Sequence, residues 1–548
     1  ACGPAEEGAI VVCGRRQSGD YPIERRAREF EPRLPVATGH VGTIEAGLGV
    51  LPGLDTDRPV AWFRGMALTG DAEVIRRAIV AGTEAGVPVV GVLTGVGADV
   101  RRGIDGLVGI GAVAHALAAA AGVVPTVLVV DGPCLGGAAL ALGLADVVVM
   151  TERGHAFVNA PATSARFTGT DHLADDLLGG AWVHHARSGV ADLVAPTLDA
   201  ALALVGDLLD LLPSNNHEAP PAVPSDDPWD RSTWRAAATV PHDGRASYDV
   251  RTVIADLVDD GHMLELRGRY GPSVTTALAR IAGMPVGILA NQPSQLAGAL
   301  DIEGSQKGGR FVRFCDAFGL PIVTLVDTPG FRPGRDQEWR GMIRHGAKLA
   351  FAYAEATVPR VCVVLRKAYG GAYIVMDCKS MGNDCAVAWP TAEVAVMGAR
   401  GAVEILHRRE LSLIDDDERQ AKRRRELEAE YEAVHLSPAV ADLDKDVGND
   451  RTPEREVRKI ARKFPENGAY PCTYHVTAAT AELLRRIVAL NELAPAMQQV
   501  CDLLADCWQK GGKLLVCGNG GSCADAMHLA EQKIRVTALL VRTSPLSP

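Results

Sequence analysis

None of the twelve cysteines forms a Cys-x-x-Cys pair and no His-Glu-x-x-His occurs, so a zinc site built from local spacing is not expected. Cys362 in VCVVL and Cys315 in RFCDAF lie in apolar segments, where a thiol packs as a small hydrophobe. Aromatics are only 5% of the residues, which leaves Ala, Val, Leu and Gly to build the interior. Positive charge is scarce too. The net charge of −11 argues against a general nucleic-acid surface. Apolar runs of about 18 residues, the length that spans a bilayer, are missing. The nearest approach, at 106–124, contains His115 and several glycines and fits a buried helix. The opening ACGPAEEGAIVVCG lacks the basic flank of a secretory signal, so a cytoplasmic protein without nucleic-acid or membrane partners is expected. No His/Asp or paired-carboxylate constellation stands out.

What the chain does contain is a repetition. Its 548 residues have room for two to four domains. PVVGVLTGVG and then VVPTVLVVDGPCLGGAALALGLADVVVM in the first half are answered by PIVTLVDTPG and then TVPRVCVVLRKAYGGAYIVM in the second. The spacings agree: Pro88 to Pro125 is 37 positions and Pro321 to Pro359 is 38, while Pro125 to Gly136 and Pro359 to Gly370 are both 11. One supersecondary unit has been duplicated, and each copy ends in Gly-Gly-Ala.

In each copy a β-branched run reads as a buried strand, and the glycine pair opens a segment that can be helical. Without side chains the backbone there can approach a ligand closely. The first amides of the helix have no internal partner and suit a negative oxygen. A lone Gly-Gly before a helix is more often tight packing. Two at matched spacing point instead to two oxyanion sites.

Composition divides the chain. Residues 1–38 are charged and irregular and carry no assigned role. The first copy occupies 39–212, a Pro/Asn/Asp-rich linker 213–244, the second copy 245–435 and a further polar linker 436–472, leaving a last segment at 473–548. Within the second unit, LIDDDERQAKRRRELEAEYEAV reads as an exposed helix with a solvated charged face.

The run LARIAGMPVGILANQPSQLAGALDIEGSQKGGRFVRFCDAFGLPIVTLVDTPGF, with IRHGAKLAFAYAEATVPRVCVVLRKAYGGAYIVMDCKSMGNDCAVAWPTAEVAVMGARGAV after it, closely resembles the carboxyltransferase β subunit of biotin-dependent acyl-CoA carboxylases. DGPCLGGAAL and SNNHEAPP resemble the N-terminal half of the same family more loosely, and the likeness covers roughly 40–435. The resemblance implies an α/β chain with two tandem crotonase-like domains of the ββα superhelix type. It also implies a homo-oligomer, a hexameric ring of dimers in which each site pairs one subunit's first domain with its partner's second.

It further implies transfer of a carboxyl group from carboxybiotin to the α-carbon of a short acyl-CoA, acetyl- or propionyl-CoA, as in fatty acid biosynthesis. That chemistry creates negative oxygen twice, on the ureido of biotin and on the thioester enolate. A single backbone donor in such a role contributes about 2.7–4 kcal/mol. By the family's pattern Gly136 and Gly137 hold the acyl-CoA thioester, and Gly371 and Ala372 hold biotin. Gly370 shapes the turn, Tyr373 adjoins the cofactor, and Ile374 floors the acyl pocket, where its branched chain favours short acyl groups. No metal is implied. The released biotin nitrogen can take the α-proton itself. The chain has no biotin-attachment sequence of the Ala-Met-Lys-Met type and no ATP-dependent carboxylase segment, so a separate biotin carboxylase and biotin carrier partner is expected.

The likeness breaks in the first copy. Where the family carries a stretch like Ser-Gly-Gly-Ala-Arg and then Gln-Glu-Gly, this chain has GVGADVRRG, with Val96, Asp99, Arg101 and Arg102 in those places. An acidic Asp99 in place of Arg disfavours a polyanion such as CoA. The preceding glycine-rich loop is shortened to ALTGDAEVIRRAIV, and after 435 the family's closing segment is not recognisable. Two alternatives stay open on these residues: a carboxyltransferase subunit of a biotin-dependent decarboxylase, and a catalytically inactive scaffold.

The last segment, with KLLVCGNGGSCADAMHLAEQ, resembles the start of a sugar isomerase domain of the sedoheptulose 7-phosphate isomerase type, a partial α/β unit. That likeness places Asn519, Gly520, Gly521 and Ser522 at a sugar phosphate and His528 at a metal-ligand position, but Gln532 stands where a Glu ligand belongs. So short a segment could hardly bury its own core. It reads as a remnant, or as the product of a fusion or frameshift.

Overall fold

The computed structural model describes residues 31–38, 44–53, 57–65, 68–95, 103–170, 174–227, 234–389 and 391–436. In the first half the strands are β1 (Glu31–Thr38), β2 (Ile44–Pro52), β3 (Asp57–Gly65), β4 (Val89–Gly95), β5 (Thr126–Leu135), β6 (Val147–Thr151), β7 (His155–Phe157) and β8 (Leu193–Ala195). They make one sheet in the order β1-β2-β3-β4-β5-β6-β8, antiparallel up to β3 and parallel from there, with β7 branching off β5.

The second half repeats the plan with β9 (Met263–Leu266), β10 (Val274–Ile281), β11 (Met284–Asn291), β12 (Ile322–Thr328), β13 (Arg360–Tyr369), β14 (Cys385–Ala388) and β15 (Glu393–Ala395). Its order is β9-β10-β11-β12-β13-β14, again antiparallel before β11 and parallel after, with β15 branching off β13. The repeated prolines do the same work in both copies. Each precedes a strand, where its missing N–H is harmless, and each carbonyl starts the ladder to the neighbour. Pro88 accepts from Ala61 (2.9 Å), Pro125 from Val89 (2.9 Å), Pro321 from Gly287 (2.8 Å) and Pro359 from Ile322 (2.9 Å).

A second repeated device anchors the strand before each glycine loop. Asp146 Oδ2 accepts from the Thr126 amide at 2.9 Å, and Asp384 Oδ2 accepts from the Arg360 amide at 2.8 Å. The backbone returns the bond in both copies, Asp146 N–H to Thr126 O at 3.1 Å and Asp384 N–H to Arg360 O at 3.0 Å. The fold thus reproduces the duplication down to individual hydrogen bonds.

The period-two alternation of β5 sorts its side chains onto two buried faces. Leu128 and Val130 pack with Ile75, Ile79 and Leu117 from the covering helices Leu68–Ala85 and Ile104–Ala120. Val127 and Val129 join a larger core that also holds Leu278, Ile288 and Val323 of the second sheet. At roughly 1.5–3 kcal/mol per fully buried aliphatic side chain, this shared layer is what joins the two sheets.

Polar contacts close the joint. The Arg267 amide donates to Asp192 O at 2.9 Å, and its Nε lies 3.1 Å from Asp192 Oδ1. Lys307 Nζ, fully buried, donates to Arg267 O (2.9 Å) and Val274 O (2.7 Å). A cavity of about 20 Å³ lies here, among Asp146, Asp192, Arg267, Lys307 and Arg310. The polar stretch after the first sheet is strapped across both units. Asn215 Nδ2 donates to Gly86 O (2.9 Å), and the Val223 amide donates to Gly283 O (3.1 Å). No helix among the described residues is long and apolar enough to cross a membrane, and no group of three His, Cys, Asp or Glu there could hold a metal.

Candidate functional site

The first glycine loop follows directly from β5. Gly136 takes φ 65°, ψ −126°, a conformation closed to L side chains, and the helix Gly137–Leu142 begins after it. The Gly136 N–H is already used: it donates to Phe157 O of β7 at 2.8 Å. This corrects the expectation that Gly136 is an oxyanion donor, because extending the β5–β7 pairing by one residue consumes its amide. The amides of Gly137 and Ala138, in the first turn, are the ones left without an intrahelical partner. A Cβ on Gly137 would lie 2.5 Å from Ile110 Cγ2 of the helix behind, so close packing and an open amide both require glycine there.

β7 is braced by two histidines. His155 Nε2 lies 2.5 Å from Asp176 Oδ1, and His184 Nε2 is 2.8 Å from Ala156 O. The His155–Asp176 pair escaped the sequence reading because 21 positions separate its members and no local pattern joins them. Val96, Asp99, Arg101 and Arg102 lie outside the described residues.

The second loop is a variant of the first. Gly370 has φ 58°, and a Cβ there would sit 3.0 Å from Val396 O. A Cβ on Gly371 would meet the Phe331 ring at 3.2 Å. The helix Gly370–Val375 buries Ala372 and Tyr373 and leaves Ile374 half exposed. Tyr373 is therefore corrected from cofactor neighbour to core residue: its ring belongs to the shared apolar cluster, and burial holds its hydroxyl above the usual phenol range. Only its backbone remains at the loop.

Beneath this loop lies a charged network that local spacing did not reveal. Asp327, at the end of β12, accepts from Arg366 Nε (3.0 Å), Tyr248 Oη (2.9 Å) and the Lys367 amide (3.2 Å). Arg366 Nη1 also donates to Asp243 O (2.9 Å) and Ala246 O (2.8 Å). Burial pushes the Asp327 carboxyl above its ordinary range, against the pull of Arg366 and the Tyr248 hydrogen bond. The network fixes the ends of β12 and β13, the base from which Tyr369, Gly370 and Gly371 project.

Apolar side chains stand exposed in the elements around each loop: Leu140, Val158 and Phe167 in the first copy, and Trp339, Ile343 and Val396 in the second. Such surfaces are usually covered in an assembly. Geometrically, each copy offers glycine-flanked backbone donors next to apolar surface, which suits a flat ligand that develops charge on one oxygen.

Residues 60–460 match the carboxyl transferase domain family, and residues 477–540 match the SIS domain family. The chain is 44% identical over 389 residues to the methylmalonyl-CoA carboxyltransferase 12S subunit of Propionibacterium freudenreichii subsp. shermanii, covering 69% of this chain and 73% of that protein. It is 44% identical over 367 residues to the propionyl-CoA carboxylase beta chain of Saccharopolyspora erythraea, covering 65% of this chain and 67% of that protein. Among solved structures it is similar to the transcarboxylase 12S hexamer with hydrolyzed methylmalonyl-coenzyme A bound. The TM-score is 0.70 at 36% identity, over 82% of this chain and 91% of that one. Asn519, Gly520, Gly521, Ser522 and His528, the residues read as a sugar-phosphate remnant, fall within the SIS match and outside the described residues.

Proposed function

The chain belongs to the carboxyl transferase domain family, and from that premise we propose that it moves a carboxyl group between carboxybiotin, carried on a separate protein, and the α-carbon of a short acyl-CoA such as acetyl- or propionyl-CoA. The observation that carries this reading is the duplicated strand–glycine–helix unit, which supplies two sets of backbone donors for a reaction that makes two oxyanions. Gly137 and Ala138 would hold the thioester oxygen, with Gly136 shaping the loop. Gly371 and Ala372 would hold the ureido oxygen, with Gly370 as the turn.

The second loop fits a bicyclic ureido ring. Glycine at 371 lets the loop backbone lie close against the Phe331 ring, and the loop amides precede any intrahelical acceptor. Bound there, carboxybiotin would supply an activated carboxyl group and a nitrogen able to accept a proton, so the chain need provide no side-chain base. Its own residues orient the two partners and offer preorganised donors, each contributing about 2.7–4 kcal/mol at the transition state. Ile374, half exposed beside the loop, would limit the acyl group.

We further propose that the chain works as a hexameric ring of dimers with a biotin carboxylase and biotin carrier as partners. Two observations support this: the apolar surfaces around the loops need covering, and the solved relative is a hexamer. The test is to incubate the purified full-length chain with malonyl-CoA and free biotin and follow CoA-ester decarboxylation. Biotin-stimulated turnover is expected. If biotin has no effect, the catalytically inactive scaffold becomes the better reading.

A further inference from the structure

The two copies share the strand, glycine loop and short helix but close the helix differently. Arg360 opens β13, Asp377 follows the helix Gly370–Val375, and Arg360 Nη1 donates to Asp377 Oδ1 with both side chains buried. The pair is enclosed. Arg360 Nη2 also donates to Met381 O at 3.3 Å, its guanidinium lies 5.9 Å from the centre of the Tyr353 ring, and Asn383 Nδ2 donates to Asp377 O at 2.6 Å. Asp377 holds φ 61°, in the left-handed region that glycine occupies more easily.

The glycine loops are offset by 370 − 136 = 234 positions, which makes Thr126 and Gly143 the counterparts of Arg360 and Asp377. Thr126 turns its hydroxyl to Asp146 at 2.8 Å, and Gly143 ends its helix with φ −72°. The first copy therefore forms the same strand, turn and helix with no charge at either position. The fold does not need the pair. Nor is a buried pair a good stabiliser, since desolvation offsets most of the attraction.

What the pair does is mechanical. It ties the start of β13 to the residue just past the helix, with the glycine loop between them. A six-residue helix is too short to be stable through its own hydrogen bonds and takes its direction from what holds its ends and its buried face. Fixing its far end fixes the direction of the amides at its near end.

We propose that Arg360 and Asp377 are a positioning pair that sets the pitch of the helix Gly370–Val375, so that the amides of Gly371 and Ala372 converge on the oxyanion of the biotin half-reaction. This rests on the carboxyltransferase reading given above. The first copy binds its ligand through many groups of CoA and can do without such a tie, whereas a small ureido ring offers little else to orient it.

The test uses the full chain, Asp377→Asn, and the double variant Arg360→Thr/Asp377→Gly, which rebuilds the closure of the first copy. Turnover of malonyl-CoA with free biotin, thermal midpoint and peptide-level hydrogen exchange are measured on each. The single variant should melt earlier, and the double should recover to within a few degrees of wild type. Both should lose about 10- to 100-fold in kcat/KM for biotin while KM for malonyl-CoA stays within about twofold. Exchange should quicken over 370–376 and stay unchanged over 137–143. If the double variant regains wild-type turnover along with its stability, or if exchange quickens equally in both loops, the pair is structural and the proposal falls. A wild-type chain that shows no biotin-dependent turnover removes the carboxyltransferase reading itself, a result distinct from an active wild type with indifferent variants.

Discussion

Gly136 gives its N–H to the carbonyl of Phe157 at 2.8 Å, so the residue that best marks the first loop in the sequence is not one of its donors. The bond draws β7 against the end of β5, while the next two amides lie in the first turn of the helix without an intrahelical partner. In the proposed site, shaping and donating are divided between neighbouring glycines.

That division sets the first expectation. Gly137→Pro and Gly371→Pro each delete one donor and should lower biotin-dependent turnover by about 100-fold or more. Gly136→Ala should instead act through backbone strain of roughly 1–3 kcal/mol, seen as a lower thermal midpoint. Steady-state kinetics and melting curves on the three variants separate the effects, and unchanged turnover in both proline variants would remove the oxyanion assignment.

Ile374 should govern acyl size without governing stability, because half of it faces solvent. Ile374→Ala is expected to raise the ratio of kcat/KM for methylmalonyl-CoA over malonyl-CoA by about tenfold, the scale of one methyl group in an apolar pocket. The melting temperature should hardly move. A constant ratio places the acyl pocket elsewhere.

The Asp327 network predicts a different pattern. Asp327→Ala leaves Arg366 buried without its carboxylate, a change that costs about 3–5 kcal/mol in comparable buried pairs. Arg366→Met/Asp327→Leu removes both charges and should be less destabilised than the single variant. Chemical denaturation of the two proteins checks the order, and the reverse order contradicts the buried-pair argument.

Lys307 should make stability depend on pH at the joint between the sheets. Burial, the largest influence, pushes its ammonium down from 10.5 to about 7. Between those values the unfolded chain binds a proton that the folded chain does not, so stability should rise with pH from about 7 to about 10 and level off on either side. Lys307→Met abolishes this rise even if it lowers stability overall by taking one donor from each of the carbonyls of Arg267 and Val274. The comparison is the slope of denaturation free energy against pH. Equal slopes in the two proteins would show that Lys307 stays charged.

By itself the sequence determined the repeated unit and its chemistry. Strand periodicity, proline spacing and paired glycines are local properties, imposed by backbone sterics on a few neighbouring residues, and they located both loops, while the crotonase-like α/β plan followed from the resemblance to the carboxyltransferase family. Tertiary structure decided which groups are free to act. Hydrogen bonding to β7 took the amide of Gly136, packing took the ring of Tyr373 into the core, and burial paired Arg360 with Asp377 and Arg366 with Asp327. Whether a donor is spent or available depends on the element that folds against it, and that element comes from tens of residues away in the chain. The duplicated copies share their local signals and differ in those distant partners, so only the folded chain shows which groups around each loop are already paired.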